Sequence, residues 1–374
     1  MSESTAMKHA YGPQLAQRMA RSIQNCTSRF SEKDFVAAAT NGLEELELKG
    51  RIAHLATALH EHLPGKYADH LRLLHQLLPA PSPASKGTYD YGYHLWPWAT
   101  YIENYGLDHP AISLDALEAI TQRFTAEFAI RPFFLADPDR VLARARSWAV
   151  NECFHLRRLA SEGLRPRLPW GIQLKPLVVD PSPTLPLLRT LRADPEDYVY
   201  RSVANHLNDI SKDHPELVIA ELTAWNKHPT EHLPYITRHA LRGLIKGGHS
   251  EALALLGYDP PQLKRTRFTL SATTVQLGTP LSVEVTCHSS SSRSQRIQLD
   301  LQLDLVRANG KRGIKVFKGK EIELPARGTV TCHQTLTLKP VTTRRYYNGP
   351  HVLRVQGNGE NLGEATFELT GCPS

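Results

Sequence analysis

The hydrophobic period of this chain changes once, near Tyr258, and that change limits the fold more than any other feature. Before it, apolar residues recur at three- and four-residue spacing, as in Phe35, Ala38, Ala39, Leu43, Leu46, Ile52, Leu55, Ala56 and Leu59. A second pattern of this kind fills 66–78, and PAPSPASKG at 79–87 reads as a loop. After Pro260-Pro261 the segments FTLSATTVQL, LSVEVTCHS, IQLDLQLDLV, IKVFKGKEIEL, TVTCHQTLTL, HVLRVQG and EATFELTG alternate with period two. Gly, Ser, Asn and Pro turns separate them. About seven short strands fit an immunoglobulin-like sandwich, although this region lacks the tryptophan such a core often has. At 374 residues the chain exceeds one ordinary core. Two domains are expected, 1–258 helical and 264–374 a sandwich.

The helical part carries a repeat. Arg158, Arg201 and Arg238 each precede a short apolar run, at separations in or near the range of HEAT and armadillo helix pairs. DPSP at 180–183, DPED at 194–197, DHPE at 213–216 and NKHPTE at 226–231 read as the short loops between them. Proline after Asp or His suits the first turn of a helix. Such units bury their faces only by stacking, so the expected fold is mainly α: a curved HEAT-like array followed by the β-sandwich.

Charge is unevenly spread. The net charge is +7, and residues 264–374 hold about 16 basic and 8 acidic side chains, which accounts for essentially all the excess. A basic module joined to a near-neutral one suits an anionic partner, and a plain solubility bias is the dull alternative. Lys311, Arg312, Lys315, Lys318 and Lys320 cluster on one hairpin, and Arg344-Arg345-Tyr346-Tyr347 forms a basic–aromatic patch. No run of about 18 apolar residues and no signal-type N-terminus appear, so a cytoplasmic protein without a membrane partner is expected. The five cysteines form no C-x-x-C pair, which argues against a zinc site; Cys287 and Cys332 are expected to be thiols. There is no P-loop and no H-E-x-x-H, and G-N-G at 357–359 reads as a turn. Lys175 has no neighbour to activate it as a Schiff-base amine.

Chemistry concentrates between Thr125 and Asp209. Glu127 lies among apolar residues, Glu162 follows RRLAS, and Asp209 closes ANHLND. Aligning Arg158 with Arg201 makes Glu162 and Asn205 equivalent, with Asp209 one turn further along the same face. Each acid also has a plain structural reading: Glu127 capping a helix or pairing with Arg131, Glu162 pairing with Arg158, Asp209 capping or bridging repeats. Trp170, after Arg-Pro-Arg-Leu-Pro, is expected at an element start and partly exposed, to stack on a base or to pack on the next repeat. Trp148, Trp96 and Trp98 read as packing. Arg144, Arg146, Arg157, Arg158, Arg165, Arg167, Arg189, Arg192 and Arg201 form a dense set that suits phosphate or, alternatively, a solvated face laced with ion pairs.

These segments carry a family resemblance. WPWATYIENYGL (96–107), FTAEFAIRPFF (124–134), RRLASEGLRPRLPW (157–170) and VANHLNDISKDHPELV (203–218) resemble the AlkC branch of the AlkC/AlkD DNA glycosylases, HEAT-like-repeat alkylpurine glycosylases of which some carry a C-terminal immunoglobulin-like domain. The segment before RRLASEG departs from the pattern, reading NECFHL. The resemblance implies base excision of cationic alkylated bases, 3-methyladenine and 3-methylcytosine, from double-stranded DNA in a wide groove without deep base flipping. It implies a monomeric, monofunctional enzyme without metal or cofactor, nucleoid-associated in a bacterial-type cell. Carried over by motif, Glu127, Asp209 and Glu162 are the expected catalytic group and Trp170 the stacking residue. Arg158, Arg165, Arg167, Arg201, Lys311, Arg312, Lys315, Lys318, Arg344 and Arg345 are expected on DNA. The competing reading is a non-catalytic HEAT scaffold that binds DNA or protein; a carbohydrate-active reading fits a basic sandwich poorly.

Overall fold

Proline and short polar side chains decide where the helices begin. The computed structural model describes residues 7–83, 91–306, 312–340 and 345–372. It opens with α1 (Pro13–Cys26), α2 (Glu32–Thr40), α3 (Leu48–His62) and α4 (Tyr67–Leu77). Ser31 caps α2, its Oγ accepting from the Asp34 amide at 3.3 Å. The apolar run 31–63 is broken into two helices at Gly42, whose φ of 69° starts a short 3-10 turn. There follow α5 (Trp96–Tyr105), α6 (Pro110–Thr121), α7 (Ile130–Ala136), α8 (Pro138–Ala149), α9 (Phe154–Glu162), α10 (Lys175–Val179), α11 (Leu185–Leu191) and α12 (Asp197–Ile210). Next come α13 (Pro215–Asn226), α14 (Leu233–Ala240), α15 (Arg242–Gly247) and α16 (Ser250–Ala254). The His-Pro and Asp-Pro steps act as the sequence implies: His109, Asp137 and His214 each precede a proline in a first helical turn.

The chain divides into two compact units, Met1–Asp213 with Thr230–Ile236, and His214–Pro229 with Thr237–Ser374. In the first, α3 packs on α5, α8 on α9, and α9 on α12. The α9–α12 contact matters most. Ala160, Ser161, Ser202 and Ala204 keep the opposed faces small, and the helices approach until the Ser161 and Ser202 hydroxyls hydrogen-bond at 2.9 Å. At the end of α9, Gly163 leaves room for α7; a Cβ there would lie 2.2 Å from Ile130 Cδ1.

The second unit holds a sandwich of β1 (Leu263–Leu270), β2 (Thr274–Gln276), β3 (Pro280–Ser289), β4 (Gln295–Val306), β5 (Arg312–Phe317), β6 (Glu321–Leu324), β7 (Thr329–Thr337), β8 (Gly349–Gly357) and β9 (Glu360–Thr370). The seven alternating segments contain nine strands, because SAT divides the first and KGK the fourth. One sheet runs β1-β3-β7 and the other β2-β9-β8-β4-β5, with β6 paired to β4. The core between them is aliphatic, with Val283, Val285, Leu299, Leu303, Leu353, Val355 and Leu369 at its centre. Cys287 and Cys332, on adjacent strands, are buried free thiols, and burial pushes Cys287 up to about 11. G-N-G is the β8–β9 turn, with Asn358 and Gly359 both at positive φ. Among the described residues no helix is long and apolar enough to cross a membrane.

Candidate active site

The buried faces of α9 and α12 break the usual amphipathic rule. Glu162, Ser161 and His155 are buried on α9, and Ser202, His206, Asn208 and Asp209 on α12. Buried polar groups are tolerated only when they find partners, and here the partners form one chain of alternating charge. Arg158 Nη1 donates to Glu127 Oε2 at 2.6 Å, and its Nη2 lies 3.6 Å from Glu162 Oε1. Arg165 Nη1 donates to the same Glu162 oxygen at 2.7 Å, and Arg165 Nε donates to Asp209 Oδ2 at 2.9 Å. Lys212 Nζ closes the series on Asp209 Oδ1 at 2.9 Å.

Glu127, Glu162 and Asp209 are 9%, 6% and 1% exposed, so they come together in a nearly dry cluster linked by arginines. The partner expected for Glu127 was the local Arg131; the actual one is Arg158, reached from α9 and joined by Thr125, whose hydroxyl donates to the same oxygen at 2.7 Å. Asp209 does bridge elements, from α12 to the turn after α9. Burial alone would raise the Glu162 carboxyl, but Arg158, Arg165 and the Ser202 hydroxyl outweigh it and hold it below the ordinary range. Ser202 Oγ donates to Glu162 Oε2 at 2.6 Å, so both Glu162 oxygens are committed. His206 is fully buried; its Nδ1–H donates to the Ser161 carbonyl at 2.9 Å, and burial drives its pKa down to about 4.

Trp170 is 58% exposed and does not start an element. It occupies the third position of a β-turn closed by Gly171 N donating to Leu168 O at 3.1 Å, with Pro169 before it and a φ of 65°. Type II turns have this form and want glycine where tryptophan stands. Beside the indole is a cavity of about 200 Å³ lined by Lys49, Trp96, Glu103, Asn104 and Phe128. Burial raises the Glu103 carboxyl, and Lys49 opposes that shift. The packing role expected for Trp96, Trp98 and Trp148 holds, since all three are buried.

The arginine set is largely occupied. Arg144 pairs with Asp115 and Glu118, Arg157 with Asp194, and Arg167 with Asp213 at 2.8 Å. Arg158 and Arg165 orient carboxylates, a different task from the phosphate contact expected of them. Arg201 stays largely exposed, 3.9 Å from Asp197, and lines a cavity of about 280 Å³ with Arg158, Glu162, Tyr198, Ser202 and Asn205. On the sandwich, Arg312 lies 3.9 Å from Asp304, Lys318 is exposed, and Lys315 and Arg345 sit over the rings of Phe317 and Tyr347. Lys311 and Arg344 lie outside the described residues.

The comparisons place this geometry in context. A family model described as the C-terminal Ig-like domain of the uncharacterised protein YhaZ matches residues 264–371. The Bacillus subtilis protein YhaZ is 36% identical over 366 residues, spanning 97% of this chain and 99% of its own. A Pseudomonas fluorescens alkylpurine DNA glycosylase, AlkC, solved bound to DNA containing an abasic site analog, is 36% identical, covers 97% of this chain and 99% of its own, and superposes with a TM-score of 0.82. The chain belongs to the AlkC family. In AlkC terms the likeness extends through both the helices and the sandwich. Sequence reasoning about this AlkC-family chain missed His206 and Glu103, and gave Arg131 only as a partner of Glu127. Arg131 and His206 resemble core positions by spacing, and their polarity inside an apolar pattern was the available signal.

Proposed function

We propose that this chain is a monofunctional DNA glycosylase that removes cationic alkylated bases, 3-methyladenine and 3-methylcytosine among them, from duplex DNA. In this reading 1–258 is a stacked HEAT-like array that carries the chemistry, and 264–374 is a basic sandwich that adds phosphate contacts. The protein acts as a cytoplasmic, nucleoid-associated monomer, without a cofactor and without deep base flipping. The single observation that carries the reading is the chain of carboxylates and arginines running Glu127–Arg158–Glu162–Arg165–Asp209. The whole-length likeness to a glycosylase solved on DNA supports it.

The chemistry follows from charge. The bond from deoxyribose C1′ to the alkylated base breaks with its electron pair leaving on the base, which neutralises the base. Positive charge moves to the sugar, and water then adds at C1′ and loses a proton. A carboxylate beside the sugar stabilises that shifted charge more than it stabilises the starting state. Compensation by arginine weakens each carboxylate, but the charges are oriented and largely dry before DNA arrives.

Roles divide by what each oxygen already holds. Glu162 has both oxygens committed and supports the others. Glu127 accepts from Thr125 and Arg158 on Oε2, and among the described residues no donor reaches its Oε1. Among the same residues Asp209 Oδ1 accepts only from Lys212, at 2.9 Å, a donor whose half-exposed side chain is free to swing toward solvent when a ligand takes that oxygen. Glu127 and Asp209 are therefore assigned to the sugar and the attacking water, and Trp170 to stacking, worth about 1–3 kcal/mol.

The test is release of methylated base from alkylated duplex DNA. Asp209→Asn and Glu127→Gln should each lower release on the order of a hundredfold while lesion binding persists. Native-level release by both variants removes the mechanism. Lesion binding by the native chain with no release at all favours the scaffold reading.

A further inference from the structure

Trp170 is held in place by more than its turn. Its carbonyl accepts a hydrogen bond from Lys49 Nζ, which comes from the first turn of α3 and also lies 5.1 Å over the Phe128 ring. Two residues on, the Ile172 carbonyl accepts from Arg131 Nε at 2.5 Å. Arg131 is 0% exposed, and its Nη1 donates to the Gly163 carbonyl at 2.8 Å, directly after Glu162. Gly171 lies between these anchors, and a Cβ there would stand 3.3 Å from both Cδ and Nε of Arg131.

We infer that Lys49 and Arg131 are positioning residues that clamp the 168–172 turn, so that the Trp170 ring keeps a fixed place relative to Glu162 in the carboxylate chain. Three observations carry this. A bulky residue at positive φ is an outlier that persists only when its surroundings over-determine it. Both flanking carbonyls are taken by cationic donors from elements distant in sequence, α3 and α7. Arg131 spans the end of α9 and the turn with one guanidinium, so the two parts of the site cannot shift separately without breaking a buried charged hydrogen bond. The inference rests on the reading of Trp170 as a stacking residue, and it names the residues that make that stacking possible.

Lys49→Met keeps the aliphatic stem and removes the donor. The expected result is a loss of kcat for base release on the order of tenfold, since small misplacement of a site group is costly. KM for DNA, its salt dependence and the melting temperature should stay at native values. In a Trp170→Ala background the same substitution should cost nothing further, because coupled residues fail additivity. Gly171→Ala, which presses on Arg131 from the other side, should give the same pattern. An equal loss in both backgrounds, no loss in the native background, or a raised KM with unchanged kcat overturns the clamp.

A second readout separates this inference from the functional one. Acrylamide quenching of the Trp170 emission, taken as native minus Trp170→Phe, should rise in Lys49→Met without any DNA present. If Trp170→Ala leaves base release unchanged, the stacking role fails and quenching alone judges the clamp. Unchanged quenching overturns it.

Discussion

At the scale of single residues, the site is governed by burial of charge. Glu162 is the middle of its chain, so Glu162→Ala leaves Arg158 and Arg165 facing a gap. Removing one member of a buried pair costs about 3–5 kcal/mol, and chemical denaturation should show a loss of that order, whereas the exposed pair of Arg140 with Asp137 should yield under 1 kcal/mol. His206 gives a pH signature. Its folded pKa of about 4 lies below its ordinary 6.5, so the unfolded chain takes up a proton first as pH falls. Stability from this group is full above pH 6.5 and declines on the way to about 4, by on the order of 3 kcal/mol. His206→Gln should flatten that part of the stability–pH curve when the helical dichroism signal is followed through unfolding. The depressed Glu162 carboxyl acts in the same direction but lower, losing its contribution as pH drops below the usual glutamate value. Spacing alone suggested that Glu162 and Asn205 face one way, and they do line one cavity. It could not name Arg158 as the partner of Glu127, because that pairing is set by how α9 meets the segment before α7 and not by any local interval.

At the scale of elements, the site exists because α9 and α12 pack face to face. Small residues permit it, and Gly163 extends it to α7. Gly163→Ala should force Ile130 to move and cost about 1–3 kcal/mol by overpacking. It should also lower base release, since the Gly163 carbonyl anchors Arg131; thermal unfolding and a release assay on the same sample would check both. Helix beginnings were readable from Ser31 and from the His-Pro and Asp-Pro steps, because capping is a local matter. The turn at Trp170 was not, because the sequence Leu-Pro-Trp-Gly shows a proline turn without showing that tryptophan takes the position glycine prefers. Strands were readable by alternation, but the split within 268–277 depends on its halves joining different sheets, and that within 314–324 on its halves pairing with different lengths of β4.

At the scale of the whole molecule, the excess positive charge belongs to the strand-rich region, and the arginines near the carboxylates are mostly spent internally. Salt dependence of DNA binding should therefore depend on the sandwich. Replacing Arg312, Lys315, Lys318 and Lys320 with glutamine should reduce the log–log salt slope by about one for each phosphate no longer neutralised. It should leave single-turnover base release on saturating DNA unaltered. An unchanged slope would detach this region from DNA. The change of period near Tyr258 made the helical and the strand-rich stretches legible from sequence alone, and the uneven charge came from the same reading.

One consequence of the alternating charges concerns ancestry. Each member of the series from Glu127 to Asp209 is balanced by its neighbours, so a solitary replacement produces a stranded ion in a water-poor interior. Viable drift then needs two changes together, and the intermediate is a crippled protein. Descendants should consequently keep these five identities as a block or discard them as a block, and a lineage that has given up the chemistry should show the vacancy filled by packed hydrocarbon.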